Sequence, residues 1–263
     1  MNNDENRKYA ENSILELAVL SVLGDREEQQ DYFDSVMTDI DCFACVCDGM
    51  GGHKGGRLAS TTAVNTLINE FCASYPLTDV PSFLRDVANE ADKNVLDLKG
   101  DNGEPINAGT TMVSVYIKND EMYWASVGDS RLYLVRAGEI AQVTLDHNYH
   151  EYLKEQLLNG QIDNEQFAKE DVRGEALINF LGIGGLQIID HNDEPLKLFS
   201  GDRLIIMSDG LYKLVDDETI LSLTDNFENI SDALSGFEMK AQTMARKKNV
   251  RRDNMTVILI KIK

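Results

Sequence analysis

Residues 42–53 read CFACVCDGMGGH, an apolar run that ends in an aspartate and a glycine-rich turn. The apolar part is typical of a buried β-strand. Because side chains alternate between the two faces of a strand, Cys45 and Cys47 share one face and Cys42 points to the other. The run therefore predicts a buried strand with Asp48 at its end.

The cysteines of this run raise an alternative, since Cys42 and Cys45 have the C-x-x-C spacing of a zinc or redox site. The chain has four cysteines and four histidines, but no second C-x-x-C and no paired histidines to complete a zinc shell. The two cysteines also point to opposite faces of the predicted strand. We therefore expect reduced cysteines that pack in the core, as in other cytosolic proteins.

Two helices are predicted after the glycine-rich turn, one from Gly56 onward and one that opens near Pro81. Their apolar stripes consist of Ala59, Ala63, Leu67 and Phe71 in the first helix and of Leu84, Ala88, Ala91, Val95 and Leu98 in the second. The loop before the first helix is expected to be close and flexible because it contains four glycines, Gly51, Gly52, Gly55 and Gly56.

Most of the remaining apolar segments are predicted strands. Two hairpins of one antiparallel sheet are expected from TTMVSVYI with EMYWASVG and from RLYLVR with EIAQVT. Further strands are expected for ILELAVLSV, RLIIMSD and MTVILIKI, and helical sequence for about 148–176 and 230–247. Strands grouped with strands favour an α+β layered fold over βαβ units. No linker or repeat interrupts the chain, so residues 1–263 are predicted to form one domain.

Composition excludes several classes of function. The chain has 45 acidic and 25 basic residues and a net charge of −20, which repels nucleic acid and attracts cations. The opening MNNDENRKYAEN lacks the pattern of a secretory signal. No apolar run reaches the roughly 20 residues that span a bilayer. We therefore expect a cytoplasmic protein that binds neither nucleic acid nor a membrane.

Four aspartates stand beside apolar runs and turns: Asp48, Asp129, Asp209 and Asp253. Taken singly, each could simply cap a turn through its short side chain. Four such carboxylates converging at a sheet edge would repel one another unless a hard cation neutralised them. A group of oxygen ligands that includes no His or Cys indicates magnesium or manganese rather than zinc. Gly49 fits this interpretation, because a residue without Cβ lets its carbonyl approach a metal.

A family resemblance rests on seven motifs in order: Gly24 to Asp31 (GDREEQQD), VCDGMGGH with Ala59-Ser60, Ala108-Gly109-Thr110-Thr111, Val127-Gly128-Asp129-Ser130-Arg131, Thr144-Leu145-Asp146-His147, Gly201-Asp202-Arg203 with Ser208-Asp209-Gly210, and Asp253-Asn254-Met255-Thr256-Val257. Together they resemble the metal-dependent protein phosphatases, type 2C, in their bacterial form, over nearly the whole chain. The resemblance implies an α-β-β-α sandwich, in which two antiparallel sheets are covered by helices and the active site lies in a cleft at one edge.

The same resemblance implies a role for each matching residue. Asp48 would bridge two Mn²⁺ or Mg²⁺ ions, Gly49 would offer its carbonyl to one ion, and Asp31 would act through metal-bound water. Asp209 and Asp253 would hold the second ion, and Asp129 matches the position of a third, weaker ion. Arg26 would bind phosphate, for which its planar fork is suited. Arg26 and Asp48 are thus the predicted catalytic residues, and residues 148–176 correspond to the variable flap.

The implied function is that of a protein-serine/threonine phosphatase. A water that bridges two cations can attack the phosphorus of a phosphoprotein monoester in line, without a covalent phosphoenzyme. We expect a monomer whose substrates are phosphorylated by a serine/threonine kinase. One alternative is a weak or silent relative that binds phosphoproteins as a regulatory module, and another is a generic acidic metal-binding β protein.

Four positions depart from the family pattern or leave a role open. Gln29 and Gln30 stand where the family usually has Asn-Glu, so the site has one carboxylate fewer. Met50 replaces a histidine proposed as a general acid in eukaryotic relatives, and methionine cannot donate a proton. His53 could be catalytic or could orient the loop.

Overall fold

The computed structural model describes residues 7–100 and 102–263, apart from the side chain of His53, and gives the bounds of thirteen strands and seven helices. The strands are β1 (Arg7–Glu11), β2 (Leu15–Val22), β3 (Asp31–Met37), β4 (Asp41–Met50), β5 (Gly109–Thr110), β6 (Met112–Lys118), β7 (Glu121–Val127), β8 (Arg131–Arg136), β9 (Glu139–Gln142), β10 (Asp190–His191), β11 (Leu196–Lys197), β12 (Arg203–Met207) and β13 (Met255–Ile262). The helices are α1 (Gly52–Ser74), α2 (Val80–Leu96), α3 (Tyr149–Leu158), α4 (Asn164–Glu170), α5 (Asp209–Tyr212), α6 (Asp217–Asn226) and α7 (Ile230–Lys248).

The strands form two antiparallel sheets. One has the order β1-β2-β13-β12-β8-β9, and the other has the order β10-β7-β6-β4-β3 with β11 paired to β7 and β5 paired to β4. Both predicted hairpins form, but they do not share one sheet as we expected. The chain changes sheets between β7 and β8, at Gly128, whose φ of 101° suits a residue without Cβ.

Three apolar layers hold these elements together. The middle layer lies between the sheets and includes Cys42, while a second layer between β4 and α1 includes Cys45 and Cys47. The third layer packs α6 and α7 on the six-stranded sheet. The predicted alternation of the cysteines is therefore confirmed, and all three are buried thiols. The α+β sandwich of two antiparallel sheets flanked by helices is also confirmed.

Helix α1 begins earlier than the sequence pattern indicated. It starts at Gly52, so Gly55 and Gly56 belong to its first turns rather than to a flexible loop. Gly56 is needed for close packing against Gly49 at the end of β4. A Cβ on Gly49 would lie 2.0 Å from the carbonyl oxygen of Gly56. The helix can therefore approach the end of β4 backbone to backbone only because both positions lack a side chain.

Other boundaries show where the pattern was weak. Strands β1 and β3 were not predicted, because β1 is exposed throughout and β3 is half-buried without a clean alternation. The helical segments at 149–170 and 230–248 and the last strand agree with the prediction.

Within the described ranges, no helix is long and apolar enough to cross a bilayer. The prediction that no secretory signal is present rests partly on residues 1–6, which lie outside the described ranges.

An aromatic cluster predicts how strongly α1 is anchored. Phe71 is 1% exposed, stacks on Phe43 with ring centroids 4.7 Å apart, and contacts the rings of Phe83 and Tyr116. Phe71→Ala should lower the free energy of unfolding by about 3–5 kcal/mol, because it leaves a cavity. Urea denaturation measures this loss. The control is Phe199→Ala, since Phe199 is 55% exposed; an equal loss in both variants would contradict the assignment.

Candidate functional site

A cleft of about 570 Å³ opens where the two sheets meet at one edge. Six of the seven predicted site residues line it, namely Arg26, Asp48, Gly49, Asp129, Asp209 and Asp253. The seventh, Asp31, is 3% exposed and lies behind the wall of the cleft. The cleft wall also includes Gln30 and Met50, two of the positions at which the sequence departs from the family pattern.

Asp31 and Asp48 face each other on neighbouring strands. They are direct register partners of β3 and β4, so their side chains project from the same face of the sheet. The Ser208 hydroxyl, from the other sheet, donates to Asp31 Oδ2 at 2.7 Å. Asp31 Oδ1 is buried and has no hydrogen-bond partner among the described residues. One oxygen of Asp31 is therefore fixed by protein, and the other is left as an acceptor.

Burial and crowding make these carboxylates costly in their charged form. Burial, with repulsion from Asp209 and Asp253, raises the pKa of Asp31 to about 7, although the Ser208 hydrogen bond opposes the shift. Asp48 keeps partial contact with solvent, yet desolvation and repulsion from Asp31 raise its pKa well above the ordinary value. A positive charge in the cleft would therefore be stabilising.

Threonine hydroxyls fix the backbone of Asp48. Its amide donates to Thr111 Oγ1 at 2.9 Å, and its carbonyl accepts from Thr110 Oγ1 at 2.8 Å. Thr111 Oγ1 also lies 2.6 Å from Ser130 Oγ, in the loop that follows Asp129. These contacts tie the end of β4 to the loop between the sheets, so the carboxylate of Asp48 is held at the cleft by a rigid backbone.

Gln30 uses its amide group to hold the glycine turn. Its side-chain Nε2 donates to the carbonyl of Gly52 at 3.0 Å. Its backbone carbonyl accepts from the amide of Gly49 at 3.1 Å and from Ser60 Oγ at 2.6 Å. A glutamate could not donate the first of these bonds. The departure from the family pattern thus has a structural use at the start of α1.

The six-stranded sheet brings Asp209 and Asp253 to the same cleft. Asp209 opens α5 directly after β12, and Asp253 precedes β13, the neighbour of β12. Asn254 connects this edge to the other sheet, since its Oδ1 accepts from the backbone amide of Gln30 at 2.9 Å. Gly210 permits the close packing, because a Cβ there would lie 2.0 Å from the carbonyl oxygen of Asn254.

Both of these carboxylates contact cations of the chain. Lys213 Nζ lies 2.7 Å from Asp209 Oδ2, and Arg26 Nη2 donates to Asp253 Oδ2. Asp129 is 7% exposed, and the Tyr212 hydroxyl donates to its backbone carbonyl at 3.0 Å. Burial, with repulsion from Asp209, raises the pKa of Asp129 to about 6, against the opposing charge of Lys213.

The donor set fits two divalent cations that keep part of their water. Within residues 7–100 and 102–263, no group of three or more His, Cys, Asp or Glu side chains is arranged to hold a metal ion through the side chains alone. Magnesium sites in proteins usually employ one or two carboxylates per ion and leave the other positions to water. Asp48, the unpartnered Oδ1 of Asp31, Asp209 and Asp253 supply oxygen donors of this kind. The described residues therefore suit hydrated Mg²⁺ or Mn²⁺ rather than zinc.

The segment 148–176 lies beside the cleft and contains α3, α4 and a 3-10 turn at Asp171–Arg173. Its ends meet where the amide of Tyr149 donates to the carbonyl of Ala176 at 2.9 Å. A second cavity of about 540 Å³ runs between this segment and the cleft, with Asp129 and Lys213 on its inner wall. The segment is therefore placed to contact whatever enters the cleft.

The base of this segment is built on Asp146 and His147. Arg131 donates to both oxygens of Asp146, at 3.0 and 2.7 Å, and its guanidinium lies 3.7 Å from the centre of the Tyr212 ring. His147 Nδ1 accepts from the amide of Gly128 at 3.2 Å and from Asn179 Nδ2 at 2.9 Å. His147 is 4% exposed, which agrees with a structural role.

Sequence reasoning left several residues of the site without a role. Ser208, Thr111 and Asn254 occur in the motifs that carried the resemblance, but only the structure shows their partners. Ser208 and Asn254 join the two sheets through hydrogen bonds, and Thr111 contacts Ser130 in the loop between the sheets. Lys213 had a usable signal, since its i,i+4 spacing from Asp209 on a helix favours an ion pair. His53, whose role was left open, has a side chain outside the described part of the chain.

Comparisons with known proteins agree with this geometry. The family model of protein phosphatase 2C matches residues 31–153. The serine/threonine phosphatase Stp of Listeria welshimeri is 30% identical over 220 residues, which cover 82% of each chain. The crystal structure of the phosphatase Stp1 from Staphylococcus aureus is 26% identical, with a TM-score of 0.79 and 96% of each chain covered. The phosphatase MsPP of Mycobacterium smegmatis, solved with cacodylate, is 28% identical with a TM-score of 0.73 and covers 95% of this chain and 100% of its own.

The burial of His147 predicts a pH dependence of stability. Burial lowers the pKa of His147 below its ordinary value of 6.5, so the stability it contributes is present above that value and is lost as pH falls through the folded-state pKa. His147→Asn keeps an acceptor near Nδ1 but cannot be protonated. The free energy of unfolding of the wild type, minus that of the variant, should therefore fall by up to about 1.4 kcal/mol per pH unit below pH 6.5.

Urea denaturation of both proteins between pH 5 and 8, in one buffer and at one metal concentration, measures this difference. The carboxylates titrate in both proteins, so the subtraction isolates His147. A difference that stays constant over this range would show that His147 is not buried in its neutral form.

Proposed function

This chain belongs to the protein phosphatase 2C family, the metal-dependent protein-serine/threonine phosphatases, and on that premise we propose that it hydrolyses phosphoserine and phosphothreonine monoesters of other proteins in a two-cation site. Direct attack by an activated water, with no covalent phosphoenzyme, is the mechanism that we infer. The chemistry of the cleft supports this proposal, as do the names of the relatives, which are serine/threonine phosphatases.

One observation carries the proposal: carboxylates from two different sheets converge on a single open cleft of about 570 Å³ beside an arginine. Asp48 comes from β4, with Asp31 behind it on β3, while Asp209 and Asp253 flank β12 and β13. A surface that was merely acidic would not require buried carboxylates, because each costs free energy unless a cation compensates it. The arrangement is favourable for a protein that binds divalent cations.

We infer the same ligand assignment as the resemblance implied. Asp48 would contact both ions, Gly49 would offer its carbonyl to one ion, and Asp209 and Asp253 would hold the other, with Asp31 acting through water. When bound, Mn²⁺ or Mg²⁺ would lower the pKa of a coordinated water and neutralise charge on the phosphoryl oxygens. Asp31 is held for its part by Ser208, which engages Oδ2 and leaves Oδ1 free to accept a proton from water.

Arg26 supplies the phosphate contact in this proposal. Its side chain is 54% exposed at the rim of the cleft. A guanidinium has five N–H donors, so the contact with Asp253 leaves others for phosphate oxygens. Met50 lines the cleft and has no proton to donate. The leaving hydroxyl therefore takes its proton from water or from another group of the cleft.

The setting of the enzyme follows as part of the same proposal. We infer that residues 1–263 form one catalytic domain, with 148–176 as the flap that contacts substrates. The protein would act as a cytoplasmic monomer on proteins that a serine/threonine kinase has phosphorylated. The competing function is that of a silent relative which binds phosphoproteins, and only a measurement of turnover separates it from an enzyme.

The first test measures phosphate release from a phosphothreonine peptide with manganese, with magnesium, and with a chelator. We expect release that requires the metal and disappears with the chelator. Asp48→Asn should lower kcat/KM at least about a hundredfold at a fixed metal concentration, because it removes several kcal/mol of charge stabilisation through the metals. The matched control is Asp193→Asn, since Asp193 is 77% exposed in a pair with Arg85.

Each outcome of this test decides between the candidates. Peptide binding without release in the wild type would favour the silent relative. Release that is insensitive to the chelator would exclude a metal-dependent reaction. Equal activity of Asp48→Asn and Asp193→Asn would remove Asp48 from the site, provided that circular dichroism shows both variants to be folded.

The second test concerns phosphate recognition by Arg26. Loss of a charge-assisted contact costs on the order of 2 kcal/mol, so Arg26→Ala should lower kcat/KM toward the phosphopeptide roughly 30-fold. The matched control is Arg85→Ala, because Arg85 also pairs with an aspartate, at 3.0 Å, but lies on α2. Steady-state kinetics at saturating manganese measure both variants. Wild-type efficiency in Arg26→Ala would place the phosphate elsewhere.

A further inference from the structure

Lys213 brings a positive charge of the chain into the carboxylate cleft. Its Nζ lies 2.7 Å from Asp209 Oδ2 and 3.3 Å from Glu175 Oε2 in the neighbouring segment 148–176. The side chain of Asp209 is only 16% exposed and that of Lys213 is 37% exposed. This pair is thus more enclosed than a typical surface ion pair on a helix.

Asp129 completes the surroundings of this ammonium group. Asp129 and Lys213 line both the cleft and the adjoining cavity of about 540 Å³. The position of Asp129 is fixed by Tyr212, which precedes Lys213 and whose hydroxyl donates to the carbonyl of Asp129 at 3.0 Å. Asp129 and Asp209 therefore share one side of the cleft, and the ammonium of Lys213 stands on that side.

We propose that Lys213 is a tethered cation that takes the place of a third divalent ion at Asp129 and Asp209, so that the cleft holds two metal ions and not three. The resemblance implied an additional ion at Asp129, and the donor set here does not fit one. A dication at that position would lie against an ammonium that already contacts Asp209. Like charges at such short range repel, and the ammonium already offsets part of the negative charge that a third ion would need.

The geometry leaves the core site intact. Lys213 engages Oδ2 of Asp209, so Oδ1 remains for the core ion that Asp209 would hold in the proposed function. Glu175, whose side chain is 83% exposed, approaches the same ammonium from 148–176. The inference therefore adds to the two-cation site and rests on the proposed function, because it concerns the number of ions that the same cleft accepts.

The experiment counts bound manganese on the full chain by isothermal titration calorimetry and by electron paramagnetic resonance of free Mn²⁺. The wild type should bind two ions per chain. Lys213→Met removes the charge with little change in length, and it should bind a third ion at least roughly tenfold more tightly than the wild type does. Lys213→Arg keeps the charge and should bind two. The control Lys197→Met breaks a 2.7 Å pair with Asp120, at the end of β7 opposite to Asp129. This variant should also bind two ions.

A double variant locates the new ion. Asp129→Asn in the Lys213→Met background should return the count to two, because it removes the carboxylate that the third ion would use. Lys213→Gln serves as a second neutral variant if Lys213→Met is not folded by circular dichroism.

The outcomes separate this inference from the proposed function. Three ions in the wild type, two ions in both neutral variants, or a third ion that survives Asp129→Asn would overturn the role of Lys213 while leaving the two-cation site standing. Absence of manganese binding in every protein would instead remove the proposed function, and the inference with it.

Discussion

Repulsion among buried carboxylates is the constraint on which the architecture of the cleft depends. Asp31 and Asp48 face each other on one sheet, and Asp209 and Asp253 are delivered by the other, so the two sheets meet where negative charge is densest. Apolar packing between the sheets cannot hold these groups at fixed positions, because it is not directional. Hydrogen bonds between the sheets do so. The Ser208 hydroxyl donates to Asp31, and the backbone amide of Gln30 donates to the side chain of Asn254.

Close backbone contacts make those hydrogen bonds possible. Any Cβ at Gly49 or Gly210 would overlap a backbone carbonyl oxygen at about 2 Å. The first contact lets α1 reach the end of β4, and the second lets α5 reach the strand that follows Asp253. The glycines of the motifs therefore act chiefly through packing. A substitution at either position would move a whole element, and the carboxylate beside it would leave its register.

The sequence alone predicted the layered class, the main strands and helices, and four aspartates of the cleft, because apolar periodicity and strand-end aspartates are local signals. Asp31 was identified only through the family resemblance, and Glu175, which also lines the cleft, was not predicted. The prediction from sequence was wrong where contacts between distant parts of the chain determine the structure. The two hairpins fall in different sheets, which depends on the turn at Gly128, and β3 was missed because an edge strand with mixed exposure has no clear period. Ser208 and Thr111 stood in recognised motifs, but a hydroxyl shows its partner only after folding.

Arg26 and Lys213 show that a chain can place positive charge in an acidic cleft in two ways. Arg26 is 54% exposed at the rim, where its guanidinium pairs with Asp253 and has further N–H donors. Lys213 is held between Asp209 and Glu175, beside a cavity wall that it shares with Asp129, so its charge belongs to one side of the cleft. Because Glu175 lies in the segment beside the cleft, movement of that segment would change the charge balance at Asp209.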